Sequence, residues 1–214
     1  MPPHIAEARA AGTQAIVLAA GAGRRFGGGK LLAPFRSRPL VCWAVEAALA
    51  SCVEGVTVVV GARGAEIAAL LALHAGERLR VVQCRDWGEG IAASLRCGIE
   101  ALPDGTRAAL LLLGDMPLVS PGLADRVLTR VLDGAPAALP LCDGQPGHPV
   151  AVSHELFTAL ARLNGDRGAR SLLEGLDGVV TIATADGGCV RDVDTRDDLA
   201  ALARQGWPGG VAGC

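Results

Sequence analysis

Ala15-Ile16-Val17-Leu18-Ala19-Ala20 runs straight into Gly21-Ala22-Gly23-Arg24-Arg25-Phe26-Gly27-Gly28-Gly29-Lys30. A short, unbroken apolar run bounded by glycine reads as a strand buried on both faces, the kind found in parallel sheets. In open α/β sheets ligands gather at the carboxyl ends of strands, so the glycine cluster sits where chemistry is expected. Glycines let backbone N–H groups reach phosphate oxygens with no Cβ in the way. Arg24, Arg25 and Lys30 put three cations within seven residues, which suits a polyphosphate. Spacing excludes two familiar loops. A Rossmann G-x-G-x-x-G needs glycine at Phe26, and a P-loop needs glycine at Arg24 and a hydroxyl at Leu31. Taken alone, a glycine-rich loop with basic residues is equally consistent with a solvated surface turn. Its place after a buried strand favours phosphate binding.

The same rhythm continues outward from this stretch. Residues 39–51 have helical periodicity, with Pro39 suited to a first turn, and 56–60 are β-branched and strand-like. Helical patterns over 65–74 and 90–102 alternate with strand patterns over 79–84 and 108–113. Gly114-Asp115-Met116-Pro117 breaks the last of these, and Ser120-Pro121 opens a helix to residue 132. Later, 136–142, 148–152 and 179–183 are strand candidates joined by glycine-rich connections, and 195–204 reads as a closing helix. In that helix Thr195 and Asp198 are spaced as a capping box. The predicted fold class is α/β: one domain over 1–214 with an ordered core of about 14–204. Its sheet is Rossmann-like and mostly parallel with helices on both faces, and some strands of the C-terminal half are mixed.

Composition narrows the function classes. Half of the 214 residues are apolar, enough for a real core, and the net charge is −2. Nucleic-acid binders carry a basic surplus, which is absent, and three Phe, three Trp and no Tyr make a poor base-stacking platform. The seven cysteines include no C-x-x-C pair, which argues against a zinc site or disulfide framework and for reduced thiols. Residues 1–14 lack the apolar core of a signal peptide, and the run 108–113 is far too short to span a bilayer. A soluble cytoplasmic protein is expected, with neither nucleic acid nor membrane as a partner.

An aspartate at the carboxyl end of the strand 108–113, beside the phosphate loop, is well placed for Mg²⁺. That ion favours one or two carboxylates, with substrate phosphates and water completing its shell. On its own, Asp115 before a turn is as easily a turn-forming residue. Leu18-Ala19-Ala20-Gly21-x-Gly23-x-Arg25-Phe26-Gly27-x-x-Lys30 resembles the L-A-[AG]-G-x-S-x-R-M-G-x-x-K signature of the MobA-like nucleotidyltransferases. These include the molybdenum cofactor cytidylyltransferases and guanylyltransferases, and their fold is of the nucleotide-diphospho-sugar transferase type. The chain departs from the signature at Gly23, usually Ser, and at Phe26, usually Met. The family also has G-D-x-P where Gly114-Asp115-Met116-Pro117 stands, and a D-V-D-T-P-E-D-L stretch that Asp192-Val193-Asp194-Thr195 resembles. Trp87-Gly88-Glu89-Gly90-Ile91-Ala92-Ala93-Ser94-Leu95, completed by Gly98, resembles W-x-x-G-M-x-x-S-L-x-x-G; Cys84 replaces the Asn that often precedes it. Gly147-His148-Pro149-Val150 and Gly165-Asp166-Arg167-Gly168-Ala169-Arg170 resemble the G-H-P and G-D-x-G-A-R elements of the cytidylyltransferase (MocA-type) branch. The likeness spans residues 14 to about 204.

The resemblance implies a set of roles. Leu18, Ala19, Ala20 and Gly21 cup the base, with Gly23 a backbone donor to phosphate and Ser94 beside the nucleotide. Arg25 and Lys30 neutralise the triphosphate and the departing pyrophosphate. Asp115 is the principal Mg²⁺ ligand, with Asp194 rather than Asp192 as the second; as a helix N-terminal acid, Asp194 has a structural reading of nearly equal weight. Gly147, His148, Pro149, Arg167 and Arg170 face an anionic acceptor, although a lone histidine is more often structural. Ala20, which is Gly in guanylyltransferases, favours CTP over GTP, by only about 1–3 kcal/mol for one methyl. The implied activity is transfer of CMP from CTP to the phosphate of the molybdenum cofactor, with a recipient molybdoenzyme or its chaperone downstream. Two alternatives keep the chemistry: another phosphorylated acceptor such as a sugar or polyol phosphate, or a GTP-using guanylyltransferase. A third changes class, to a cofactor-binding chaperone with little turnover.

Overall fold

The computed structural model describes residues 9–72 and 76–204. The opening apolar run forms β1 (Thr13–Ala19), and its side chains leave alternately to the two faces of the sheet. Ala15, Val17 and Ala19 enter one core, while Ile16 and Ala20 enter the other. β4 (Gly55–Val60) and β6 (Ala108–Leu113) divide in the same way, which is why all three read as continuous apolar runs.

On one face lie α1 (Leu40–Ala50), α2 (Gly64–Ala72) and α4 (Pro121–Leu132). On the other lie α3 (Ile91–Glu100), α5 (Phe157–Ala161) and α6 (Ala169–Leu173). Ser120 caps α4 by accepting from Leu123 N at 3.2 Å. α7 (Arg196–Arg204) opens on a reciprocal capping box: Asp198 Oδ2 accepts from Thr195 N at 2.7 Å, and Thr195 Oγ1 accepts from Asp198 N at 3.1 Å.

The remaining strands are β5 (Leu79–Gln83), β7 (Ala137–Cys142), β8 (Gln145–Pro146), β9 (Val150–Ser153) and β10 (Val180–Ala183). The sheet order is β10-β7-β9-β6-β1-β4-β5, with β8 paired to β7. β1, β4, β5 and β6 are mutually parallel, whereas β9 runs antiparallel between β6 and β7. This is the mostly parallel sheet with a mixed C-terminal half that the sequence predicts. The chain leaves β1 toward β4 on one side and returns to β6 on the other, so the gap between the ends of β1 and β6 is the switch point where open sheets take ligands.

The structure adds a two-stranded hairpin, β2 (Pro34–Phe35) with β3 (Arg38–Pro39). Pro39 therefore closes that hairpin and precedes the first turn of α1 rather than lying within it. The predicted helix over 65–74 is seen to Ala72, and its remainder lies outside the described residues. No helix among the described residues is long and apolar enough to cross a membrane.

Candidate active site

The loop after β1 is held by its apolar residues and turns Arg25 and Lys30 toward carboxylates of other segments. Phe26 is buried with Phe35, Leu40, Leu118, Val193 and Leu202, and Leu31 packs against the α1 face. Phe26, where the family signature has Met, thus serves as the anchor. Gly23 sits in the left-handed region at φ 63°, and a Cβ there would come within 2.8 Å of Lys30 Cβ. Serine at this position would be strained and would press on the lysine. The glycine lets the loop fold back on itself, with Phe26 N and Gly28 N both donating to Gly23 O at 3.0 Å.

Across the switch point, Gly114 N donates to Leu18 O at 2.9 Å, and Asp115 follows directly. Val193 N donates to Asp115 O at 3.0 Å and brings the 192–194 segment alongside. Oxygens of Asp115, Asp192 and Asp194 then lie within 4.8 Å of one another. Lys30 Nζ reaches Asp115 Oδ2 at 2.6 Å and Asp194 Oδ1 at 3.3 Å, and Arg25 reaches Asp194 Oδ2 at 2.6 Å. Residues widely separated in sequence form one charge cluster. Asp192 is exposed as a residue, yet its carboxyl is pushed above the ordinary aspartate range, first by partial desolvation and then by the negative charges of Asp115 and Asp194. An all-carboxylate set of this kind suits a hard divalent cation.

Next to this cluster opens a cleft of about 380 Å³. Leu18, Ala20, Leu113, Trp87, Ile91, Ser94 and Asp115 are among the residues that line it. Of the residues expected around the nucleotide, Leu18, Ala20, Gly21, Ser94 and Asp115 line this space. Gly23, Arg25 and Lys30 are not part of its lining, and Ala19 is packed into the opposite core. Arg24, already counted among the loop's cations, also lines the cleft, as do Trp87, Ile91 and Asp166, which stand in the quoted segments without a role of their own. Trp87 can come up against Ala20 because Gly61 has no side chain; a Cβ there would lie 2.6 Å from both Ala20 O and Trp87 Cβ. Asp166 arrives through a backbone clamp in which Ala92 N donates to Gly165 O at 3.1 Å.

The expected acceptor residues fall on the β9 side. Gly147 N donates to Pro140 O at 2.9 Å and His148 N to Cys189 O at 2.7 Å, which fixes the turn before β9. His148 Nδ1 is closed off from solvent and has no hydrogen-bond partner. Burial, and after it the positive charge of Arg170, push the imidazole down to about 4, against a hydrogen bond to the Leu111 backbone. Of the two arginines expected at the acceptor, Arg170 is half-buried at the start of α6, whereas Arg167 is exposed on the loop before it.

The sequence profile of the MobA-like NTP transferase domain matches residues 15–180. The chain belongs to this family. This MobA-like protein is 30% identical over 185 residues to the molybdenum cofactor cytidylyltransferase of Escherichia coli, covering 86% of this chain and 92% of that one. It is 33% identical over 196 residues to the nicotine blue oxidoreductase of Paenarthrobacter nicotinovorans, covering 87% and 94%. Among solved structures, Rv0371c from Mycobacterium tuberculosis superposes with a TM-score of 0.78 at 30% identity over 90% of this chain and 98% of that one. A manganese complex of Rv0371c superposes at 0.74 with 28% identity, covering 89% and 97%. A divalent metal is therefore in keeping with both the acidic cluster and its structural relatives.

Proposed function

We propose that this nucleotidyltransferase moves CMP from CTP to the terminal phosphate of the molybdenum cofactor, releasing pyrophosphate, and does so in the cytoplasm as a single domain over 1–214. The observation that carries the reading is the Asp115–Lys30–Asp194–Arg25 cluster at the switch point, opening onto a cleft large enough for a nucleotide. The likeness to the cytidylyltransferase of E. coli and the methyl group of Ala20 in the cleft lining favour CTP and the molybdenum cofactor.

In this reading the base lies on Leu18 and Ala20 against Trp87 and Ser94, and the triphosphate runs toward Lys30 and Arg25. Asp115 and Asp194 would hold Mg²⁺, which would offset the negative charge of the phosphates. Lys30 and Arg25 face the oxygen that becomes anionic as pyrophosphate leaves. The attacking phosphate is ionised near neutral pH, so no side chain has to remove a proton. His148, held neutral, and Arg170 face the acceptor, and catalysis rests on positioning and charge neutralisation.

Pyrophosphate release measured with each nucleoside triphosphate, with and without the molybdenum cofactor, tests the reading. Release with CTP that depends on both the cofactor and Mg²⁺ is expected. Equal release with a sugar or polyol phosphate in place of the cofactor would move the assignment to another acceptor, and preference for GTP would move it to guanylyl transfer. Binding without release would make the protein a cofactor chaperone. The similarity to nicotine blue oxidoreductase supports a second reading, as an oxidoreductase, which requires a redox turnover in the absence of any nucleoside triphosphate.

A further inference from the structure

Two carboxylates line the cleft, and their surroundings differ. Asp115 belongs to the charge cluster, 2.6 Å from Lys30 Nζ. Asp166 is exposed on its loop, and among the described residues no cation or hydrogen-bond donor engages its side chain. A free carboxylate is a poor neighbour for a triphosphate: it only accepts, and phosphate oxygens bring it charge repulsion and no hydrogen. It suits a ligand group that donates.

Backbone contacts set Asp166 in place. Ala92 N donates to Gly165 O at 3.1 Å, which ties the loop to the first turn of α3. Gly90, just before that helix, lies at φ 113°, and a Cβ on it would come 2.4 Å from Gly165 O and 2.7 Å from Asp166 Oδ1. Glycine is required there on both counts, and it lets the carboxylate settle at the N-terminal end of α3, where negative charge is favoured. Asp166 thus enters the cleft beside Trp87, Gly88 and Ile91. Gly21 and Asp115, by contrast, come from the ends of β1 and β6, where the loop cations gather. With the triphosphate drawn to the strand ends, the base, which is the part of the nucleotide farthest from the phosphates, extends toward α3 and Asp166.

We propose that Asp166 reads the base: its carboxylate accepts a hydrogen bond from the exocyclic amino group of cytosine and so separates CTP from UTP. The inference rests on the transfer reading above and deepens it, since the methyl group of Ala20 bears on purine size and does not tell two pyrimidines apart. Cytosine presents an N–H₂ donor at the place where uracil presents a carbonyl oxygen. Uracil would set that oxygen against the carboxylate with no hydrogen between them, and both would give up water unpaired. A site built around such a donor rejects the analogue that lacks it.

Calorimetric titration of CTP, UTP and dCTP, each with Mg²⁺, into the full chain and into Asp166→Ala and Asp166→Asn tests this without any acceptor. The unaltered protein is expected to bind CTP about 10–150-fold more tightly than UTP. In Asp166→Ala the two affinities are expected to come within about threefold of each other, through weaker binding of CTP, with dCTP weakened in parallel. Asp166→Asn keeps the shape of the side chain, and its amide can turn either an oxygen or an N–H₂ to the base, so it too should lose most of the preference. The inference is overturned if the unaltered protein binds CTP and UTP alike. It is equally overturned if the variants weaken both nucleotides in the same proportion, which is what a purely structural clamp on α3 produces. A shift in the preference for CTP over dCTP would place the carboxylate on the ribose and overturn it as well. A chain that binds no nucleoside triphosphate overturns the transfer reading itself, whereas CTP-dependent pyrophosphate release indifferent to Asp166 leaves that reading standing and removes only this inference.

Discussion

Lys30→Ala separates two roles that charge alone confounds. Lys30 Nζ lies 2.6 Å from Asp115 Oδ2 and 3.3 Å from Asp194 Oδ1, and its side chain is only 11% exposed. At an effective dielectric constant near 20, a unit pair at such separations attracts by about 5–6 kcal/mol. Desolvation offsets most of this, leaving about 1–3 kcal/mol for a charge-assisted hydrogen bond. A divalent ion that takes the same carboxylate oxygens must displace the ammonium and forgo that amount. Without the lysine the penalty disappears, so the ion alone should bind about 5–140-fold more tightly, at about 1.4 kcal/mol per tenfold. The nucleotide should respond in the opposite direction. Loss of a cation facing the phosphates is expected to raise the CTP KM about tenfold and to lower kcat. Calorimetric titration of Mg²⁺ or Mn²⁺ into both proteins without nucleotide, followed by steady-state rates at saturating metal, reads the two effects separately. Metal affinity that falls or stays level in the variant refutes the reasoning, because Asp115 and Asp194 would then not be the ion's ligands.

Asp115→Asn is expected to lower kcat at least about 100-fold while leaving the melting temperature within a few degrees, since the amide keeps the shape and an oxygen for Lys30 while the charge is lost; pyrophosphate release and circular dichroism check the two halves. Gly61→Ala places a methyl 2.6 Å from Ala20 O and Trp87 Cβ, so it should cost about 1–3 kcal/mol in urea unfolding. It should also raise the CTP KM by displacing Trp87, although no charged group is touched; an unchanged KM would remove Trp87 from the nucleotide site. The fourth prediction concerns pH. Because His148 is pushed from 6.5 down to about 4 in the fold, the unfolded chain binds the extra proton between those values. The stability contributed by its neutral ring is full above pH 6.5 and is lost as pH falls toward 4, about 2 kcal/mol of it by pH 5. Urea unfolding at pH 7.5 and 5 should show this slope in the unaltered protein and a flatter one in His148→Asn.

Much of the fold is legible because β1, β4 and β6 are buried on both faces, which leaves no polar residue to interrupt their pattern. Direction is not legible in this way. Val150-Ala151-Val152 has the same apolar character as the parallel strands, and only its pairing with β6 and β7 reveals that it runs the other way. The β2–β3 hairpin has two residues per strand, too few for any periodicity to register. In the site, Asp115 and Lys30 can be read because each follows a buried strand or a glycine loop. Asp166 cannot, since its approach depends on a backbone contact between Ala92 and Gly165. The choice between Asp192 and Asp194 looks like an alternative in the sequence. In the structure the intervening Val193 is fully buried and both aspartates sit within ligand distance of Asp115. Positions i and i+2 of an extended segment share a side, so the D-V-D pattern presents both carboxylates together.

Charge balance explains how these residues can stand together without a ligand. Three carboxylates within 4.8 Å of one another would repel strongly, and two cations at contact distance offset them. Those contacts occupy the same atoms that the proposed transfer would use: Lys30 Nζ and the Arg25 guanidinium for phosphate, the Asp115 and Asp194 oxygens for a divalent ion. Binding of substrate is then an exchange of partners among fixed charges, with little new charge to be buried. The loop's geometry serves the same end. Phe26 and Leu31 root it in the core, and Gly23 lets Lys30 approach without obstruction, so the lysine is positioned before the nucleotide arrives.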